Sequence, residues 1–281
     1  MKLLRYGPIG SERPGLLDSE GQIRDLAGIV PDISGKTLSR AGIAALREID
    51  PATLPAVSEP VRLGPCVAGV GNFIAVGLNY ADHARESGLP IPDEPVLFNK
   101  APSSICGPND PILIPPGSTK LDWEVEIAIV IGEAAYDITE AEAPGIIAGY
   151  CICHDVSERA FQNEHGGQWT KGKSGPNFGP LGPYLVTPDA IADVQALGLW
   201  LDVNGVRMQA GSTATMIFGL HFLVSYVSRF VRLEPGDVIT TGTPPGVGMG
   251  QKPPRYLQPG DIVELGIEGL GNQRQQVQHH G

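Results

Sequence analysis

Glu124 and Glu126 stand two residues apart in the run Leu121-Asp122-Trp123-Glu124-Val125-Glu126-Ile127-Ala128-Ile129-Val130-Ile131-Gly132. From Glu124 the run alternates, is rich in β-branched residues and lacks proline, which predicts a strand. Strand side chains point to opposite faces in turn. Val125, Ile127, Ile129 and Ile131 therefore share one face, and Glu124, Glu126, Ala128 and Val130 the other. The acidic face turns apolar after two positions, which carries the carboxylates into a covered region. Ionised carboxylates side by side in such a place repel one another and are costly to bury. A hard divalent cation such as Mg²⁺ or Mn²⁺, which takes oxygen ligands, resolves that conflict. An isolated Glu-x-Glu is more often a solvated strand face, so the pair needs partners elsewhere in the chain.

Candidate partners are present. His83 and Glu86 lie three apart after the strand-like Phe73–Gly77 run, in Leu78-Asn79-Tyr80-Ala81-Asp82-His83-Ala84-Arg85-Glu86-Ser87-Gly88, and share a face of a helical turn. A carboxylate on an imidazole fixes its tautomer and raises its basicity, as a general base for water requires; the alternative is a surface pair. Asp155 follows a strand-like Ala148–Cys153 run and precedes a helical Ser157–Gln162 segment with Ser157 as its N-cap. That places Asp155 well for a third oxygen ligand, with Arg159 and Gln162 able to face one cavity. Neighbouring His154 reads as a packed or supporting residue rather than a ligand. The Gly-rich segment 166–176 carries Lys171 and Lys173, either of which would be a counter-ion for a bound anion. In Thr240–Gly248, backbone N–H groups and a Thr hydroxyl are available to receive a carboxylate.

The elements that must position these groups are β-rich. The chain has 281 residues, 42% of them hydrophobic, and Gly (37) with Pro (26) approach a quarter, spread among apolar runs as turns. Residues 1–65 read as a small N-terminal domain of short strands, with a helix over Ser39–Ile49 and a Pro-rich boundary from Asp50 to Pro60. Residues 66–281 form the larger body. Strands are expected at Pro95–Lys100 and Ile112–Pro115, and Asn204-Gly205 marks a hairpin. Pro235-Gly236 and Pro259-Gly260 each deliver a strand. Thr215–Phe230, apolar nearly all round, predicts a buried helix with His221 as a satisfied core residue. A net charge of −11 argues against nucleic acid as a partner. No membrane-spanning run or signal pattern is found. Cys66, Cys106, Cys151 and Cys153 lack zinc-type pairing and suit core thiols of a cytoplasmic protein.

Five segments in order, Asn-Tyr-x-x-His-x-x-Glu, Asp-Trp-Glu-x-Glu, Asp-Val-Ser-x-Arg-x-x-Gln, Gly-Lys-Ser and Pro-Gly-Asp-Val-Ile-x-Thr-Gly-Thr-Pro-x-Gly-Val-Gly, resemble the fumarylacetoacetate hydrolase family over about residues 70–270. The resemblance implies a β-rich α+β fold, a mixed β-roll or barrel with a small N-terminal domain, and usually a homodimer. It also implies Glu124, Glu126 and Asp155 as ligands of Mg²⁺ or Mn²⁺, His83 and Glu86 as the general-base dyad, and Lys173 as the catalytic lysine. Tyr80, Arg159, Gln162 and Thr243 match substrate-contacting positions. The family's further metal-binding Asp is absent near Asn79-Tyr80, where water is expected, and His154 stands where Asn is commoner. The implied substrate is a small anionic 2-oxo acid. The pattern is most similar to bacterial hydrolases of 2,4-dioxo-3-deoxy sugar acids of the rhamnonate or fuconate type. Ureidoglycolate lyase, decarboxylase and enol–keto isomerase activities occur on the same framework, and a non-catalytic 2-oxo acid binding module is the contrasting class. Intact His83, Glu86 and Lys173 speak against the last.

Overall fold

The structure is a computed structural model that describes residues 1–58, 60–86 and 90–280. Glu59 of the Pro-rich stretch and Ser87-Gly88 of the segment after the dyad lie outside these. The first strands are β1 (Lys2–Tyr6), β2 (Arg13–Leu17), β3 (Ile23–Asp25), β4 (Phe73–Gly77), β5 (Val96–Lys100) and β6 (Ile105–Cys106). Next come β7 (Ile112–Ile114), β8 (Leu121–Asp122), β9 (Val125–Ile131), β10 (Ile147–His154), β11 (Ser157–Glu158) and β12 (Gly179–Val186). The last are β13 (Gly198–Val203), β14 (Val206–Ser212), β15 (Val238–Thr240), β16 (Ile262–Ile267) and β17 (Gly271–His279). Among the described residues five α-helices join them: α1 (Arg40–Arg47), α2 (Ala81–Glu86), α3 (Arg159–Asn163), α4 (Thr170–Lys173) and α5 (Leu220–Ser228).

The fold is the expected β-rich α+β arrangement. A ten-stranded mixed sheet runs β3-β2-β1-β12-β10-β9-β15-β4-β5, with β6 attached to β12. A five-stranded sheet runs β14-β13-β16-β17-β7. Strand β9 is buried along its whole length. Its Val125, Ile127, Ile129 and Ile131 pack with Leu199, Leu201 and Val263 of the five-stranded sheet and with Leu223 and Val227 of α5. Its Ala128 and Val130 pack on the other side with Cys151, Cys153, Leu181 and Leu185 and with Leu16, Leu38 and Ile43 from the N-terminal residues. Residues 1–65 thus lie over the second face, and β1 joins β12 with Leu3 opposite Leu185, so the ten-stranded sheet crosses position 65.

Turns follow the residues that permit them. Asn204 and Gly205 both adopt positive φ (53° and 75°), the requirement of a tight hairpin between Val203 and Val206. Gly236 and Gly260 take φ of 100° and 91° just before β15 and β16. Three expectations are corrected. Ser157 belongs to β11, and its hydroxyl donates to the Asp155 carbonyl; the α3 cap is Glu158, whose carboxylate accepts the Ala160 N–H. Helix α5 begins only after Gly219, because Ile217 N–H and Phe218 N–H bond to the Asn79 carbonyl and side-chain oxygens and hold 217–218 in a bend outside the helix. His221, in its first turn, is half-exposed rather than a core residue.

Because β9 is packed on both faces, Ile127→Ala should lower unfolding free energy by about 2–5 kcal/mol. Val206→Ala, at a side chain 55% exposed, should stay within about 0.5 kcal/mol. Denaturant unfolding of the two variants checks this.

Candidate active site

One cavity of about 210 Å³ gathers most of the residues singled out above: His83, Glu124, Glu126, Arg159, Gln162, Lys173 and Thr243 line it. The ends of β4, β5 and β9, helices α2, α3 and α4, and the loop after β15 supply its walls. Asp155, fully buried, stands behind Lys173. The Glu124, Glu126 and Asp155 carboxylates lie within 4.8 Å of one another.

These like charges are held by buried cations. Lys173 Nζ donates to Glu124 Oε2 (2.7 Å) and to Asp155 Oδ2 (2.6 Å). Arg159 Nη2 donates to Glu124 Oε1 at 2.6 Å. Lys100 Nζ donates to Asp155 Oδ1 at 2.6 Å, and also to the Lys173 and Val156 carbonyls. Burial pushes the Glu124 carboxyl up, but Lys173 and Arg159 outweigh it and hold the group below the usual range. Glu126 pairs with no cation among the described residues. It accepts the Gly242 N–H (2.8 Å) and the Thr240 hydroxyl, and burial with the charges of Asp155 and Glu124 drives its carboxyl well above the usual range. Burial works against the charge of Lys173, yet Asp155 and Glu124 keep its ammonium favoured.

Thr240 and Gly242 are the hydroxyl and the N–H that the Thr240–Gly248 segment offers a carboxylate, and that carboxylate is Glu126. Lys100 and Asp122 were not assigned a role in the sequence. Asp122, fully buried, accepts from Gly248 N–H (2.6 Å) and Trp123 N–H (2.8 Å) through Oδ1, and from Met249 N–H (3.0 Å) and Arg159 Nε (2.8 Å) through Oδ2. It fixes the arginine and ties it to the loop over the cavity. The signal for Asp122 was its place in the Asp-Trp-Glu-x-Glu segment. Lys100 offered none beyond ending an apolar strand.

The remaining candidates fall into place as follows. His83 is 6% exposed, and its Nδ1 stands 3.4 Å from Glu86 Oε2. Both Glu86 oxygens lie 3.0 Å from the Gly246 N–H, so the same loop that Asp122 anchors also holds the dyad. Gln162 Oε1 accepts from Arg159 Nη1 at 3.1 Å. Thr243 Oγ1 donates to the Val125 carbonyl and accepts from Gln209 Nε2. Tyr80 is buried behind the cavity rather than lining it. Its hydroxyl has no partner among the described residues, and burial with the charge of Glu126 pushes its phenol up. His154, also fully buried, pairs through Nδ1 with Gln275 Oε1 (3.0 Å), and burial lowers it to about 4. It stands outside the carboxylate triad. The Asn79 amide is spent on the Phe218 and Thr241 carbonyls and on Phe218 N–H.

The donor set of the triad is all oxygen, buried and mutually close, and one member lacks a counter-charge. These residues fit a hard divalent cation, with Glu124, Glu126 and Asp155 as its protein ligands.

A fold of this kind is shared with solved hydrolases and isomerases. A model of the fumarylacetoacetate hydrolase C-terminal region matches residues 72–278, and the chain belongs to that family. A protein of Burkholderia multivorans, described only as a candidate hydrolase, is 60% identical over 98% of both chains. The fumarylacetoacetate hydrolase of Exiguobacterium antarcticum superposes with a TM-score of 0.87 at 40% identity, covering all of both chains. A Sphingobium maleylpyruvate hydrolase, solved with manganese and pyruvate, superposes at 0.82 with 25% identity and the same coverage.

Glu126 yields a pH signature. Its carboxyl is raised in the fold, so its stabilising contribution is complete below the ordinary carboxyl range and is lost as pH rises toward the folded value. With divalent ions stripped by chelator, the melting temperature should fall as pH rises above the ordinary carboxyl range. In Glu126→Gln that decline should flatten. Thermal melts across this range test it, and an unchanged slope in the variant assigns the decline elsewhere.

Proposed function

We propose that the protein hydrolyses the C3–C4 bond of 2,4-dioxo acids, giving pyruvate and a carboxylic acid, with Mg²⁺ or Mn²⁺ held by Glu124, Glu126 and Asp155. Within that class the proposed substrate is a 2,4-dioxo-3-deoxy sugar acid such as 2,4-didehydro-3-deoxy-L-rhamnonate. The observation that carries the reading is that His83, backed by Glu86, opens on the cavity that also holds the carboxylates and Lys173. A base for water and a centre for a 2-oxo acid then share one space. The pyruvate and manganese in the Sphingobium enzyme support the same pairing of ligand and ion.

The ion supplies Lewis acidity and positive charge beside the 2-oxo acid group. Glu86 faces Nδ1 of His83, which leaves Nε2 to take a proton from water. The oxygen of that water bonds to C4 as the C3–C4 bond breaks. The bonding pair passes to the 2-oxo group of the departing pyruvate unit, near the Lys173 ammonium. The proton on His83 returns to C3, so the sum is one water consumed and one carbon–carbon bond cleaved. Arg159, fixed by Asp122 and Glu124, adds positive charge at the same end.

His83→Ala should lose on the order of 10²–10⁴ in kcat, the usual worth of a positioned general base. Glu86→Gln should fall in the same direction but less far. Oxalate binding should persist in both, since the carboxylates and cations are untouched. A surface-pair role predicts hydrolysis within a few-fold of the parent, and that result would overturn the dyad. Chelation should abolish turnover, with Mg²⁺ or Mn²⁺ restoring it and raising the melting temperature. Full activity in a metal-free preparation would contradict the cofactor assignment. A panel of acylpyruvates, 2,4-dioxo sugar acids, oxaloacetate and ureidoglycolate, scored for pyruvate or glyoxylate, tests the substrate class.

A further inference from the structure

The cavity has two unlike ends. Its inner end carries Glu124, Glu126, Arg159 and Lys173, each at most 4% exposed. Its outer wall is made by Leu78, Phe98, Trp169 and Met249, all half-buried, with exposed Asn163 at the rim. Phe98 and Trp169 meet edge to face, their centroids 5.3 Å apart at 66°, so this wall is a packed aromatic corner. Lys173 Nζ lies 5.2 Å from the Phe98 ring centroid, on the inner side of that corner.

Among the described residues, the cations lining the cavity are Arg159 and Lys173, with His83 the one imidazole. Both cations are committed to inner carboxylates: Lys173 to Glu124 and Asp155, and Arg159 to Asp122 and Glu124. Nearby Lys171 donates to the His165 carbonyl and does not line the cavity. A second carboxylate at the far end of a substrate would therefore lose part of its water to a half-buried apolar corner that has no cation among the described residues. Burying an unpaired charge in that way is strongly unfavourable. The chain's net charge of −11 offers no long-range compensation for a dianion.

From this geometry we infer that the enzyme selects 2-oxo acids that carry a single carboxylate and an uncharged tail, and discriminates against dicarboxylates of the same length. The inference rests on the proposed function for the identity of the inner end and adds the charge of the outer one. It accommodates both hydroxylated and plain acyl tails, because neither brings a second charge to the corner.

A chain-matched pair tests it. With the Mg²⁺-loaded enzyme, kcat/KM for 2,4-dioxoheptanoate should exceed that for 2,4-dioxoheptanedioate by on the order of 10²-fold, the scale on which an unpaired polar group is rejected. Asn163→Arg, which brings a guanidinium to the rim, should narrow that ratio by about tenfold. Equal or better cleavage of the dicarboxylate would overturn the inference. A binding arm separates it from the hydrolase reading: calorimetry of 2-oxopentanoate against 2-oxopentanedioate should show the same preference. If neither diketone is cleaved but 2-oxopentanoate still binds more tightly, the hydrolase reading fails and charge selection stands. If 2-oxopentanedioate binds as tightly, charge selection fails whatever the turnover.

Discussion

The structure depends on keeping four carboxyl groups out of water in a small volume. Asp122, Glu124, Glu126 and Asp155 are all buried, and Lys100, Arg159 and Lys173 are buried with them. Three cations against four acids leave one charge over, and it falls on Glu126, whose polar partners are a backbone N–H and a hydroxyl. In a low-dielectric interior that excess is tolerated only if the group keeps its proton or meets a further cation. The fate of that charge and the packing of the sheet are thus one problem. The strand that buries its apolar residues on both faces also carries Glu126 into a place where its charge cannot stand alone.

The loop after β15 distributes the consequences. Thr240 and Gly242 hold Glu126, Gly246 holds Glu86, and Gly248 with Met249 holds Asp122, which in turn fixes Arg159. Glu126, Glu86 and Arg159 are therefore referred to one short segment. Gly246 shows why its glycines are needed: its φ is +107°, and a Cβ there would come within 1.9 Å of the Met208 carbonyl oxygen. A side chain would push the loop off β14 and shift the dyad and Asp122 together.

Much of this was legible in the sequence, and the reasons differ by residue. The proline-free, β-branched alternation in Val125–Ile131 reveals the strand, whose one face is wholly Val and Ile. Asn204-Gly205 reveals the hairpin because few residues accept positive φ. The site residues emerge as a set because their order along the chain matches a family pattern, whereas each alone has a commoner surface explanation. Lys100 was not legible. One lysine ending an apolar strand reads as a solvated charge until the fold sets it beside Asp155. The start of α5 was equally hidden, since the Asn79 oxygens that hold 217–218 out of the helix come from more than a hundred residues away. Capping at Glu158 rather than Ser157 follows from the pairing of β11 with β8, a tertiary contact that local propensity does not encode.

The central claim is that the excess negative charge at Glu126 is met by a divalent cation shared with Glu124 and Asp155. Anomalous diffraction at the manganese edge, on crystals grown with Mn²⁺ and oxalate, addresses it directly. The account predicts one strong peak within coordination distance of all three carboxylates, with oxalate on the cavity side. A Mn²⁺-loaded crystal with no peak there, or with the ion held elsewhere while these carboxylates keep only their lysine and arginine partners, would contradict it.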